Sequence, residues 1–324
     1  MPENASLDAM LRASAPARTA ADAKPSAAAL LARDRILRSD QRPPRRRRNL
    51  VIGWASGLAL ATASVIVAAV VMVPPTTARA GAALTAGALS PTVAVVVGDA
   101  RAELAASPGP IEPKRFVETA SWNFSVNAGT GELRVFTQLS TISWEADGSG
   151  HVVIVNSPEQ DPTDAESYSQ SQIPTSGITE EFPMLPGEFL TPVTEPPGES
   201  LTAMREALDA LQMPRNASAF EVVTAITTLL GQWTLTNPQH AALLRIIEEA
   251  GGAETVPVTN DRLGRPVTGL RVLSPDGTVS DVVLVSVETG RIVGLQRNVV
   301  KGDDLLPSGA IMGYQLWDLE GLVE

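Results

Sequence analysis

Apolar and polar positions follow three regimes along the 324 residues of the chain. Residues 1–48 carry short apolar bursts among charges. "SLDAMLR" and "SAAALLARDRILR" set Leu7, Met10 and Leu11, then Leu30, Leu31, Ile36 and Leu37, at helical spacing behind capping serines. Leu50 to Val73 is then 24 residues without a charge. From Phe116 the period becomes two: "RFVETASWNFSV" and "LRVFTQLSTISWEADGSGHVVIVN" are rich in Val, Thr, Ile, Phe and Trp, as strands are.

The later pattern predicts individual elements. Asp147-Gly148 lies between two strand-like runs and predicts a hairpin over Ile142 to Val155. Residues 157–200 are polar and broken by prolines, a long surface excursion. Three helices follow, Ser200 to Met213, Ser218 to Trp233 and Pro238 to Ala250. Core stripes run along the last two: Phe220, Val223, Ile226, Leu229 and Leu230, then Leu243, Leu244, Ile246 and Ile247. Asn237 reads as the cap of the third helix and Gly251-Gly252 as its stop. A meander closes the chain: Glu254 to Thr259, Pro266 to Leu273, Ser280 to Val287, Arg291 to Val300 and Ile311 to Leu319. Strands, a helical insert and more strands predict an α+β fold with a curved antiparallel sheet packed by helices.

The uncharged run predicts a single transmembrane helix over residues 49–73. At 1.5 Å per residue its helix reaches about 36 Å, against a hydrocarbon core of about 30 Å. Arg45, Arg46, Arg47 and Arg48 resist translocation, and Trp54 sits one turn inside, where an amphipathic ring meets the headgroups. The basic, largely disordered head of residues 1–48 is then cytoplasmic, or one of its helices docks on a cytoplasmic partner. Pro74-Pro75 stops the helix, a stalk with a short helix in "PTVAVVVGDARAELAAS" covers 74–112, and an extracytoplasmic domain covers 113–324. A cleaved signal is the rival reading. Ala78-Arg79-Ala80 has the small-x-small form of a cleavage site, but a cleavable apolar region runs about 7–15 residues.

Charge sharpens this division. The head holds 11 Lys or Arg against 5 Asp or Glu, while the rest of the chain holds 14 against 31. An acidic body repels phosphate, so no nucleic-acid partner is expected; the lipid bilayer is. Cysteine is absent, which removes disulfides and thiolate chemistry together.

Candidate chemistry is sparse. His151 and His240 are the two histidines, neither has a second ligand at metal spacing, and both read as surface residues. No serine lies in a G-x-S-x-G elbow, and Glu180-Glu181 and Asp303-Asp304 lack the alternating ligands of a calcium loop. The expectation is a non-enzyme without cofactor or metal.

"SWEADGSGHVVI", "LTNPQHAALLRIIEEAGGAETVPVTNDRLGRPVTGLRV" and "VSVETGRIVG" resemble segments of a poorly characterised actinobacterial family of single-pass membrane proteins, often encoded beside extracytoplasmic-function sigma factors. The resemblance covers most of residues 26–300 in order. It rests on Asp147-Gly148-Ser149-Gly150, Asp261-Arg262-Leu263-Gly264-Arg265-Pro266 and Thr289-Gly290-Arg291, all turn-formers. It implies an anchored regulatory or envelope-sensing protein at the cell membrane, amino terminus inside and domain outside, with a sigma factor as cytoplasmic partner. The histidine-cysteine zinc motif of many anti-sigma factors is missing. The alternative function is an extracytoplasmic module or carrier for a lipid or small ligand, secreted after cleavage.

Overall fold

The computed structural model of the chain describes residues 91–126, 133–157, 173–174, 178–302 and 308–319. The basic head, Arg45 to Arg48, Trp54, the apolar run and Ala78-Arg79-Ala80 lie outside the described residues, as does Asp303-Asp304.

The described chain opens with α1 (Val93–Ala106), capped by Thr92, whose Oγ1 accepts from the Val95 amide at 3.4 Å. Strands β1 (Phe116–Val126), β2 (Leu133–Trp144), β3 (Gly150–Asn156) and β4 (Ile178–Met184) follow. Helices α2 (Leu201–Ala210), α3 (Ala219–Leu230) and α4 (Asn237–Ala250) precede β5 (Glu254–Asn260), β6 (Pro266–Leu273), β7 (Val279–Ser286), β8 (Ile292–Val299) and β9 (Ile311–Leu316). The nine strands among the described residues form one antiparallel sheet in the order β4-β3-β2-β1-β9-β8-β7-β6-β5. The fold is α+β, a large antiparallel sheet packed by helices.

The topology explains the helical insert. β4 and β5 are the two outer strands, so the chain between them must travel from one edge of the sheet to the other. Three amphipathic helices make that passage and bury a face as they do so. Met204, Leu208, Val223, Ile226, Leu229, Leu243, Leu244 and Ile247 form one core with Val117, Ile142, Trp144, Leu270, Val283, Val285 and Ile292 of the sheet. The helix that the sequence places in the stalk belongs to this core too, through Val96, Val97, Ala100 and Leu104. On the opposite face of the sheet Ala120, Trp122, Val135, Val256, Val267, Val282, Leu284, Val293, Tyr314 and Leu316 form a second buried cluster. The middle of β7, Val282 to Val285, and the start of β8, Ile292-Val293, are therefore apolar on both sides, while Asp281 and Arg297 pair across the two strands beyond them. The register shifts at Val256/Thr259 in β5, Leu284/Val285 in β7 and Arg297/Asn298 in β8.

Three expectations change. Residues 157–200 contain β4, which pairs with β3 along its length. Its sequence, "ITEEFPM", is too polar to reveal a strand because β4 has a partner on one side only. Asn237 is not the cap of α4: Thr236 takes that place, its amide donating to Gln239 Oε1 at 2.8 Å three residues on. The Asn237 side chain instead ties α4 to α1, its Nδ2 donating to the carbonyls of Leu104 and Ser107 at 3.0 and 2.9 Å. His240 is buried, not on the surface.

Candidate functional site

Asp147 and Gly148 turn β2 into β3. The Glu145 amide donates to Ser149 O and the Gly148 amide to Glu145 O, both at 2.8 Å, while Asp147 Oδ1 accepts from the Ser149 amide at 2.9 Å. Hydrogen bonds from Ser149, through its side chain and then its backbone, hold the Asp147 carboxyl below its ordinary range, so it stays anionic. Gly148 has φ of 74°, and a Cβ there would stand 2.9 Å from Phe189 O. That closeness is how a second loop reaches the turn: the Gly187 amide donates to Asp147 O at 2.7 Å and the Phe189 amide to Gly148 O at 2.9 Å.

The joined turns frame a cleft of about 350 Å³, lined by Trp144, Asp147, Gly148, Phe189, Leu190 and Pro192 among others. Its floor is aromatic and rigid. Trp144 stacks on Phe189 with centroids 4.8 Å apart and meets Trp233 edge-on at 5.0 Å. The Arg115 guanidinium lies 5.3 Å from the Trp144 centroid and 5.1 Å from that of Trp233. Its Nε and a terminal nitrogen also donate to Thr194 O, and it stands 3.7 Å from Glu195. Both indole N–H groups are satisfied, Trp144 by Gln232 O at 2.8 Å and Trp233 by Val193 O at 3.2 Å. Leu190, which lines the cleft, is 63% exposed.

The other two turn motifs meet elsewhere in the domain. In the β5–β6 turn Asp261 Oδ1 accepts from the amides of Leu263 and Arg265 at 2.8 and 3.0 Å, and Oδ2 accepts from Arg265 Nε at 2.6 Å. Gly264 supplies the positive φ, 81°, and Pro266 opens β6. Arg265 then donates to the carbonyls of Trp317 and Asp318 at 3.0 and 2.9 Å. From the β7–β8 turn Arg291, almost fully buried, reaches the same segment: Nε donates to Asp318 Oδ2 at 3.0 Å. Its terminal nitrogens donate to Asn237 Oδ1 at 2.7 Å and Leu235 O at 3.1 Å. Gly290, φ 71°, lets this turn press against α1. Beside it His240 Nδ1 accepts from the Ile292 amide at 3.2 Å. Burial, and then the Arg291 charge, push the His240 imidazole well below its ordinary pKa, so it is neutral. These two motifs fasten the chain after β9 to the helices.

On the helix-side face β1 and β2 also set Thr119, Ser121, Asn123, Gln138 and Ser140 together, all buried. Asn123 Nδ2 donates to Ser121 Oγ at 2.8 Å and Gln138 Nε2 to Asn156 Oδ1 at 2.9 Å. This row is neutral and fixes register.

The histidines lie far apart in role. His151 is half-exposed on β3 with Nε2 3.9 Å from Glu181 of β4, and His240 is internal. Among the described residues no three His, Cys, Asp or Glu side chains gather at metal-binding distance. No helix among them is long and apolar enough to cross a membrane.

Sequence reasoning found the turns but missed Arg115, Trp233, Phe189 and the role of Arg291. Arg115 and Trp233 are separated by more than 100 residues, and no local spacing announces their contact. One signal was available: between Arg134 and Arg205 the chain holds 11 Asp or Glu and no Lys or Arg.

No family profile and no curated protein sequence matches the chain. A structural comparison returns the crystal structure of a DUF1329 family protein from Desulfovibrio piger. It is 12% identical over 71% of this chain and 91% of that one, with a TM-score of 0.20, too low to carry an argument.

Proposed function

We propose that the chain is a membrane-anchored regulatory protein whose acidic outer domain binds a partner or signal, without catalysing a reaction. One observation carries this reading: 24 uncharged residues behind four arginines, followed by an acidic body of about 250 residues. The basic head lies in the cytoplasm and contacts a sigma factor, the partner implied by the resemblance of the turn motifs. Two features of the domain support a binding role. Among the described residues no three His, Cys, Asp or Glu side chains gather, and the cleft is a preformed surface recess made of two locked turns. The carrier alternative draws less support, because both faces of the sheet are filled by buried side chains of the chain itself.

The test is carried out on the full chain in its own cells. A carboxyl-terminal tag should be open to external protease while an amino-terminal tag is protected, with the full-size protein retained in the membrane. Residues 1–48 should co-purify with the sigma factor encoded beside the gene, and their deletion should change transcription of its targets. Release of a chain cut after Ala80 would overturn the anchored reading and leave the secreted carrier. A retained chain whose head neither binds nor affects the sigma factor would overturn the regulatory one.

A further inference from the structure

We infer that the cleft beside Trp144 docks a basic polypeptide segment of a partner protein, inserting one apolar side chain between flanking lysines or arginines. The inference deepens the binding role proposed above and rests on it.

Size comes first. Ligand clefts run about 300–1,000 Å³, and this one, at about 350 Å³, is at the small end, suited to one or two side chains and too small to enclose a lipid. Its walls are pre-organised: backbone bonds from Gly187 to Asp147 and from Phe189 to Gly148 hold the two turns together, so little ordering is left for binding to impose. The floor of Trp144 and Phe189 is already packed, and the open contact surface is supplied by Leu190 and Pro192. An exposed leucine beside a proline in a recess with an aromatic floor offers an apolar contact for a partner's side chain.

Charge decides the occupant. Glu145, Asp147, Glu188 and Glu195 are exposed on the segments that build the cleft. Arg115, whose guanidinium lies over the Trp144 ring, is engaged by Thr194 O, two indole rings and Glu195. A surface of this sign repels phosphate headgroups and nucleic acid and speeds the approach of a polycation. A segment with a leucine-sized anchor and basic neighbours satisfies both the recess and the rim.

The test uses the full chain in detergent micelles and a labelled short peptide with one central leucine among lysines and serines. Two comparison peptides replace the leucine by serine or the lysines by glutamate. Fluorescence anisotropy should give at least about tenfold tighter binding for the lysine-leucine peptide than for either comparison, and about tenfold weaker binding at about 0.3 M salt than at low salt. Leu190→Ser, and separately the pair Glu145→Lys and Glu195→Lys, should each weaken binding by about tenfold. All three positions are exposed, and circular dichroism confirms that the variants remain folded. Equal binding of the leucine and serine peptides, or binding unmoved by Leu190→Ser, would overturn the cleft as the site. Leu190-dependent binding to vesicles of phosphatidylglycerol, with none to the peptide, would overturn the polypeptide in favour of a lipid surface. Neither outcome touches membrane retention or head-dependent transcription, so failure here is distinct from failure of the regulatory reading.

Discussion

Arg291 ties three distant segments of the domain together. Five N–H donors in a rigid fork let one side chain hold Asp318 of the final segment, Asn237 of α4 and the Leu235 carbonyl at once. Replacing it by Met should cost about 3 kcal/mol in urea unfolding, since the amide and carbonyl partners remain buried without their donor. Asp318→Asn should cost less, about 1 kcal/mol, because that carboxylate is about a third exposed and water takes over part of its solvation. His240 adds a pH dependence whose sign follows from burial. Its folded pKa lies below the ordinary 6.5, so the unfolded chain binds the proton more readily. The His240 contribution to stability is therefore complete above about pH 6.5 and is lost as pH falls from there towards the folded pKa, at up to about 1.4 kcal/mol per pH unit. Thermal melts between about pH 7 and 5 should show this loss, and His240→Asn, which keeps an acceptor for the Ile292 amide, should flatten that part of the profile.

Among the elements, the β7–β8 turn and α1 depend on each other. Gly290 has φ of 71°, and a Cβ there would lie 2.0 Å from the Ala100 carbonyl oxygen. Gly290→Ala must therefore either strain the turn or push α1 away, and should destabilise by about 3 kcal/mol. Gly251→Ala is the control. Its φ of 70° with ψ of 171° is a conformation that glycine alone adopts readily, but open space surrounds it, so its cost is backbone strain without a clash, about 2 kcal/mol, and parallel denaturation curves will separate the two. The sheet edges are protected by the same economy of residues. β4 carries Pro183 with Glu180 and Glu181, and β5 carries Pro257 with a register shift, so neither edge offers an unbroken row of donors to another chain.

At the scale of the molecule, two meanders of four and five strands become one sheet through β1 and β9, joined at Ala120, Ser121 and Trp122. The first strand thus depends on the last for its place. α1 closes the helical layer against α4, fixed by Asn237 and buried through Val97 and Leu104. A chain begun at residue 113, without α1, should melt well below one begun at residue 91 and bind a hydrophobic dye, because the α1 face of α4 would be opened to water. Equal melting of the two would show that the helix is an accessory.

Local chemistry made much of this legible in advance. The period-two runs, the Asp147-Gly148 hairpin, the two core stripes and nearly every strand of the final meander follow from side-chain alternation and turn residues, which act over a few positions. β4 escaped because an edge strand with one partner needs no apolar alternation. The candidate cleft was half visible: Asp147 and Gly148 announced a turn, while Phe189, Trp233 and Arg115 are brought to it by pairings across tens of residues. The sequence by itself determined the charge division, the uncharged run and the order of elements, since these are properties of neighbours in the chain. Only the tertiary structure decided that His240 is internal, that Arg265 and Arg291 converge on Asp318, and that two turns lock over Trp144. Those outcomes depend on which distant surfaces exclude water from one another, and no local pattern records that.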